Sequence, residues 1–331
     1  MPRIGMNPSR GKKSDYTPAR VTVAVLTYVP NSLGYFENRL EVTKTCLQSI
    51  IKNTTAPYDL MVFDNASRPE LVDYLRQLKD DGAIDFLMLS QQNIGKIGAL
   101  QLMFRAAPGE VIAYCDDDVF YLPGWLERNL EVIDTFPNVG VVSGMYIKSH
   151  MKEGVASTLK FAQSKGVQCQ KGNLVDPALE QHYMDQMGRT PEKYKEETAG
   201  LEDVLITYKG IQVWASAGHY QFVAKKAAIL EALPKTWSSN LMGQMRDLDV
   251  AIDKLGLLRV CTTPPTLRLL GNQIDEAAAK VIAQYGVAVE AAKDKPKTAT
   301  AGLKARFYRL PLVRKVAYAI YERMFRIINA G

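Results

Sequence analysis

The stretch Val111-Ile112-Ala113-Tyr114-Cys115-Asp116-Asp117-Asp118-Val119-Phe120-Tyr121-Leu122-Pro123-Gly124-Trp125 decides how the rest of the chain is read. Residues 111–115 have the length and composition of a buried strand, and the run ends on three consecutive aspartates. Carboxylates that close repel one another unless a cation holds them. The reading is a divalent-cation site at a strand's carboxyl end, with coordination positions left for phosphate oxygens. A plain acidic surface turn is the competing reading, disfavoured because the acids cap an apolar run.

Working outward, the flanking sequence repeats one scheme. Upstream, Val21 to Thr27 reads as a strand, Leu40, Cys46, Leu47, Ile50 and Ile51 as one face of a helix, and Tyr58 to Phe63 as a second strand ending in the loop Asp64-Asn65-Ala66-Ser67. Pro69 opens a helix with Leu71, Val72, Leu75 and Leu78 inward; Ile84 to Leu89 is a third strand and Gly95 to Ala106 a helix. After the aspartates, Pro123 to Phe136 carries Trp125, Leu126, Leu130 and Ile133 at helical spacing. Alternating strands and helices predict an α/β fold with a Rossmann-like, mostly parallel central sheet flanked by helices. Functional loops of such sheets lie at the strands' carboxyl ends, where Thr27, Asp64, Asn93 and Asp116 all fall.

Over residues 148–208 the period weakens and charges thicken, as in an inserted or variable region. Ile211 to Ala224 then reads as one long strand, and Met245 to Gly256 as a helix with Leu248, Ala251, Ile252 and Leu255 on one face. Asp247 falls in its first turn, where the helix dipole favours a negative charge.

With 331 residues, 47% hydrophobic and 23% charged, the chain has the make-up of a folded globular protein. Residues 1–20 form a flexible basic segment without the apolar block of a secretion signal, and no stretch is long and apolar enough to span a bilayer. Cys46, Cys115, Cys169 and Cys261 contain no CxxC pair and read as reduced core residues, hence a cytoplasmic protein. The net charge of +6 resides wholly beyond residue 300, where seven basic residues face Glu322 alone. That argues against a nucleic-acid surface on the folded core. Leu312 to Ile328 has the pattern of a basic amphipathic helix. It suits either the inner face of an anionic membrane, as a peripheral contact, or packing on protein.

Across residues 21–272 the ordered motifs Leu26-Thr27-Tyr28, Val62 to Ser67, Asn93-Ile94-Gly95-Lys96-Ile97-Gly98-Ala99, Asp116-Asp117-Asp118-Val119 with Pro123 to Leu126, Gly218 to Lys226 and Arg246-Asp247-Leu248-Asp249 resemble the family 2 glycosyltransferases of the GT-A fold. The resemblance implies a metal-dependent, inverting transfer of one sugar from a nucleotide-diphosphate sugar (UDP-, GDP- or dTDP-linked) to a hydroxyl acceptor, a glycan, a lipid-linked saccharide or a cell-envelope saccharide, as in polysaccharide biosynthesis. It implies a nucleotide-sugar half at 21–147, an acceptor half at 148–272 and a helical extension at 273–331.

Residue by residue, it places Thr27 and Tyr28 beside the nucleotide and Asp64, with Asn65, on the base; a mere hydrogen-bonded turn is the competing reading of that loop, disfavoured because the loop sits at a strand's carboxyl end. Asn93, Gly95 and Lys96 lie near the sugar nucleotide, or simply enter a helix. Asp116 and Asp118 form the DxD motif on magnesium or manganese, Asp118 as direct ligand, with Asp116 also near the ribose and Asp117 supporting both. Asp247 is the general base, unless it is only a helix-terminal acid, with Asp249 a secondary candidate.

Two departures qualify the resemblance. Arg246 stands where the family usually has an acid before the base, and residues 264–272 lack the histidine that many relatives place there. His219 reads as a satisfied, half-buried histidine, and Glu202-Asp203 as surface. A phosphate loop of the pyrophosphorylase kind does not follow the first strand, and paired aspartates after the fourth strand do not suit a HAD-like phosphatase. A non-catalytic nucleotide-sugar or carbohydrate-binding protein, or another metal-dependent nucleotide-processing enzyme, is the alternative.

Overall fold

The computed structural model describes residues 5–289, apart from residues 56 and 239. The amphipathic helix expected at 312–328 lies outside them. The first strands and α-helices are β1 Val21–Thr27, α1 Arg39–Asn53, β2 Tyr58–Asn65, α2 Pro69–Asp80, β3 Phe86–Ser90, α3 Lys96–Ala106 and β4 Val111–Asp116. Strands β3, β2, β1 and β4 lie side by side, all parallel. In β1, Val21, Val23 and Val25 enter the core on one face of the sheet, while Ala24 and Leu26 enter a second core on the other. A strand covered on both faces must be apolar throughout, which is why β1 reads as an unbroken run.

Beyond β4 come β5 Val119–Tyr121, α4 Trp125–Thr135, β6 Val139–Ser143, α5 Ala156–Ala162, β7 Gln168–Gly172, α6 Pro177–Gln186, α7 Pro191–Glu197, β8 Asp203–Tyr208, β9 Ile211–Ala215 and β10 Gln221–Lys225. They are followed by α8 Lys226–Ala232, α9 Met245–Lys254, β11 Leu258–Thr262, β12 Leu267–Leu269 and α10 Glu276–Gln284. Among the described residues the main sheet runs β3-β2-β1-β4-β10-β6-β11-β9-β8-β7, and β12 pairs with β5 apart from it. The expected α/β fold is present, with a parallel half and a mixed half; β10 enters antiparallel between β4 and β6.

Three expectations are corrected, and the weak pattern of residues 148–208 finds its reason. The run 211–224 is two strands, not one: β9 pairs with β8 and β11, β10 with β4 and β6. The chain breaks between them at Ser216, whose φ of 90° lies in the left-handed region. Residues 148–208 are ordered, and their period is weak because short helices alternate with the exposed edge strand β7 and the largely buried strand β8 beside it. Cys169 is exposed on β7 rather than in the core. Asp203 is 1% exposed rather than on the surface, since the Tyr146 hydroxyl, the Lys148 ammonium and the Leu174 amide all point at it.

Packing continues past residue 272: Ile274, Ile282 and Val287 join Val42, Phe120 and Leu270 in a third small core. At the other end, Tyr16 donates to Asp59 and Arg20 pairs with Asp134, so the close of the 1–20 segment is tied to the sheet's flank.

Candidate active site

The aspartates end β4 beside the carboxyl ends of β1 and β2, and the three side chains diverge. Asp116 receives the Lys96 ammonium at 2.7 Å and the Tyr114 hydroxyl at 2.5 Å. Asp117 is buried and faces away from solvent, accepting from Arg39, from the Thr43 hydroxyl at 2.8 Å and from the Tyr28 amide at 3.4 Å. Asp118, a third exposed, takes the other arm of Arg39 at 2.9 Å. Burial pushes the Asp117 carboxyl up to about 6, and the Arg39 guanidinium works against that rise.

The cations that hold these carboxylates together are Arg39 and Lys96 of the chain itself, and metal is not required to explain the cluster. Sequence reasoning missed Arg39, which also donates to the Gly271 carbonyl and so joins α1, the aspartates and the segment after β12. One signal was available. A cation in the first turn of a helix opposes the dipole, and Arg39 opens α1.

The other expected donor-site residues gather on the neighbouring strand ends. Asp64 is 1% exposed, with one oxygen bonded by the Thr27 hydroxyl and the other by the Ser67 amide, both at 2.9 Å. It thus shapes the turn after β2, and only its remaining lone pairs are free for a base. Asn65 accepts from the Ile94 amide and donates to the Asn93 side chain, which in turn accepts from the Gly95 amide. These bonds fix the entry to α3. Gly95 has φ +76°, and a Cβ there would stand 3.3 Å from the Asn240 carbonyl, because the segment before α9 crosses over it; the Lys96 amide donates to Leu241 at 2.7 Å.

Asp247 lies in the first turn of α9, exposed, on the wall of a cavity of about 850 Å³ that is also lined by Lys96, Asp116, His150, His219 and Asp249. Asp249 does not share its freedom. One of its oxygens pairs with the buried Arg259 and the other with His219 Nδ1, each at 2.8 Å. This network was not foreseen, since its members are spread over three separate segments. Burial pushes the neighbouring His150 down to about 3, and it stacks on His219 with ring centres 5.7 Å apart.

Residues 36–185 match the family model described as glycosyl transferase family 2. The match includes Arg39, Asp64, Lys96 and the three aspartates, and stops before His219 and Asp247. An uncharacterized glycosyltransferase of Nostoc sp. is 31% identical over 120 residues, 36% of either chain. Another from Bacillus subtilis is 28% identical over 116 residues, 35% of this chain and 39% of that one. The chain thus spans little more than a third of the length of these curated relatives. Among solved structures, S. aureus TarS 1-349 is 13% identical, covering 83% of this chain and 67% of that one at a TM-score of 0.45. A mannosyltransferase from Pyrobaculum calidifontis, in complex with GDP-Man and Mn2+, is 25% identical over 42% and 40% of the two chains at a TM-score of 0.32.

Proposed function

We propose that this chain, a member of glycosyl transferase family 2 through residues 36–185, transfers one sugar from a nucleotide-diphosphate sugar to a saccharide hydroxyl with inversion at the anomeric carbon. The observation that carries this reading is the shared cavity: Asp116, at the end of β4, and Asp247, at the start of α9, line one space of about 850 Å³. A donor's diphosphate at the first and an acceptor hydroxyl at the second would face each other across the reacting carbon.

In this reading Thr27, Tyr28, Asn65 and Asn93 border the nucleotide on the strand ends, and Asp64 meets the base with the lone pairs that Thr27 and Ser67 leave. Lys96, 8% exposed and opening α3, directs a fixed positive charge at the leaving phosphate. Asp247 receives the proton of the attacking hydroxyl. It is exposed, and Gln244, whose carbonyl receives the Asp247 amide, lines the same wall.

A divalent cation fits the donor set. Asp116 and Asp118 present hard oxygens and are partly exposed, and Asp118 Oδ1 accepts no hydrogen bond from the described residues. Among those residues no three His, Cys, Asp or Glu side chains are grouped to hold a metal, so phosphate and water would complete the shell. Bound there, magnesium or manganese would supply Lewis-acid neutralisation of the leaving diphosphate. Asp117 holds Arg39 behind the two ligands and is not one itself.

No helix among the described residues is long and apolar enough to cross a membrane. The basic C-terminal sequence supports a peripheral meeting with a lipid-linked acceptor on an anionic, cytoplasmic surface.

Calorimetric titration of UDP, GDP and dTDP with and without Mn2+, repeated on Asp118→Ala, tests the donor site. Metal-dependent binding of one nucleotide that disappears in the variant is expected. Failure of all three to bind the wild type refutes the reading.

A further inference from the structure

Among the described residues, His219 is the one cavity-lining side chain bonded to the helix of the proposed base and carried by a loop bonded to the aspartates. Its neighbour Tyr220 receives the Asp116 backbone amide at 2.8 Å, while its own Nδ1 meets Asp249, two residues beyond Asp247 on α9. The ring therefore sits between the end of β4, where the leaving group would lie, and the start of α9, where the acceptor would be activated.

Its orientation is strongly constrained. Arg259, buried completely, donates to the carbonyls of Glu153, Gly154 and Ala217 and to Asp249, so Asp249 cannot turn away without stranding a guanidinium. With one carboxylate oxygen committed to Arg259, the other can only accept, and Nδ1 of His219 must be the protonated nitrogen. In the neutral ring the opposite nitrogen, Nε2, is a lone-pair acceptor. His219 is 26% exposed and lines the cavity, and Nε2 makes no hydrogen bond to the described residues.

We propose that His219 is an acceptor-binding residue whose Nε2 receives a hydrogen bond from a hydroxyl of the acceptor, with Asp249 and Arg259 as positioning residues. An acceptor held at both Asp247 and His219 presents two hydroxyls to one wall, which suits a saccharide rather than an isolated alcohol. This rests on the glycosyl-transfer reading for its ligand, but the imidazole's state can be checked without any substrate.

The chain has three histidines, His150, His182 and His219, so two-bond ¹H–¹⁵N correlation on ¹⁵N-histidine-labelled full-length protein, assigned with single variants, resolves each ring. The Nδ1-protonated neutral tautomer is expected for His219; an Nε2-protonated ring or an imidazolium at pH 7.5 overturns the proposal.

Two substitutions then separate binding from architecture. In His219→Asn the amide still donates to Asp249 but nothing replaces Nε2, whereas in His219→Gln an oxygen reaches toward the Nε2 position while the bond to Asp249 is lost. The substrates are the donor sugar that the wild type uses and octyl glucoside or octyl galactoside, whichever it glycosylates faster. His219→Asn should lose roughly three- to tenfold in kcat/KM for the glycoside, as expected for one hydrogen bond. Its nucleotide affinity and melting temperature should match the wild type, and His219→Gln should retain more transfer than His219→Asn. Transfer by His219→Asn within about twofold of wild type, smaller than the loss of one such bond, or the reverse order of the two variants, means that the pair is only structural. A wild type that binds no nucleotide and transfers nothing removes the glycosyl-transfer reading and the proposal's ligand with it, and is recognisable because the tautomer result stands alone.

Discussion

Arg39 is the most consequential side chain that the sequence did not point to, and replacing it with methionine tests the account of the aspartate cluster. The substitution keeps most of the aliphatic stem and removes the guanidinium, so the main change is the charge left behind. Arg39 and Asp117 each have side chains only 6% exposed, and Asp118 is 31% exposed. Removing one partner of a buried ion pair costs about 3–5 kcal/mol, because the remaining charge is neither solvated nor neutralised.

Asp117 would keep the Thr43 hydroxyl at 2.8 Å and a long bond from the Tyr28 amide at 3.4 Å, which places the cost toward the lower end. Asp118 can hydrate, and adds under ~1 kcal/mol. At roughly 2–4 °C per kcal/mol for domains of ~150–250 residues, a loss of about 3–4 kcal/mol lowers the melting temperature by roughly 10 °C. Differential scanning calorimetry gives this directly. The double variant Arg39→Met/Asp117→Asn, which strands no buried charge, should recover more than half of the loss. If Arg39→Met melts within about 2 °C of wild type, well short of that estimate, or the double variant recovers nothing, the guanidinium does not neutralise Asp117 and the reasoning is wrong.

Three further outcomes are expected. Asp247→Asn should lower transfer by about 10²–10⁴-fold while nucleotide affinity by calorimetry stays unchanged; equal transfer would move the base elsewhere. His150, held near 3 by burial against an ordinary value of 6.5, is neutral in the folded state and protonates first when unfolded, so its contribution is present above pH 6.5 and lost as pH falls toward 3. Urea unfolding at pH 7.5 and 5.0 should show His150→Gln losing about 1–2 kcal/mol less than wild type over that interval, with His182 common to both. Gly95→Ala places a Cβ 3.3 Å from the Asn240 carbonyl on a backbone at φ +76°, and should cost about 1–3 kcal/mol and weaken nucleotide binding. A variant as stable and as tight-binding as wild type would show that the segment before α9 yields freely.

The sequence determined what depends on neighbours in the chain. Strands β1, β2 and β4 and helices α2 and α9 declare themselves by period, because each buries a stripe or run against an extended surface and any break in pattern would expose it. The aspartates declared themselves through the improbability of three acids capping a buried strand.

What only the tertiary structure decided depends on pairings that period does not encode. Arg39 meets Asp117 across 78 residues and His219 meets Asp249 across 30, and no local spacing marks either partner. Residues 211–224 are largely apolar because β9 and β10 both lie inside the sheet, yet which strands they join is set by sheet order and not by composition. The same limit applied to Asp203, whose burial follows from Lys148 and Tyr146 folding onto it. A charge is legible as buried only once its counter-charge has a position, and that position is a property of the fold.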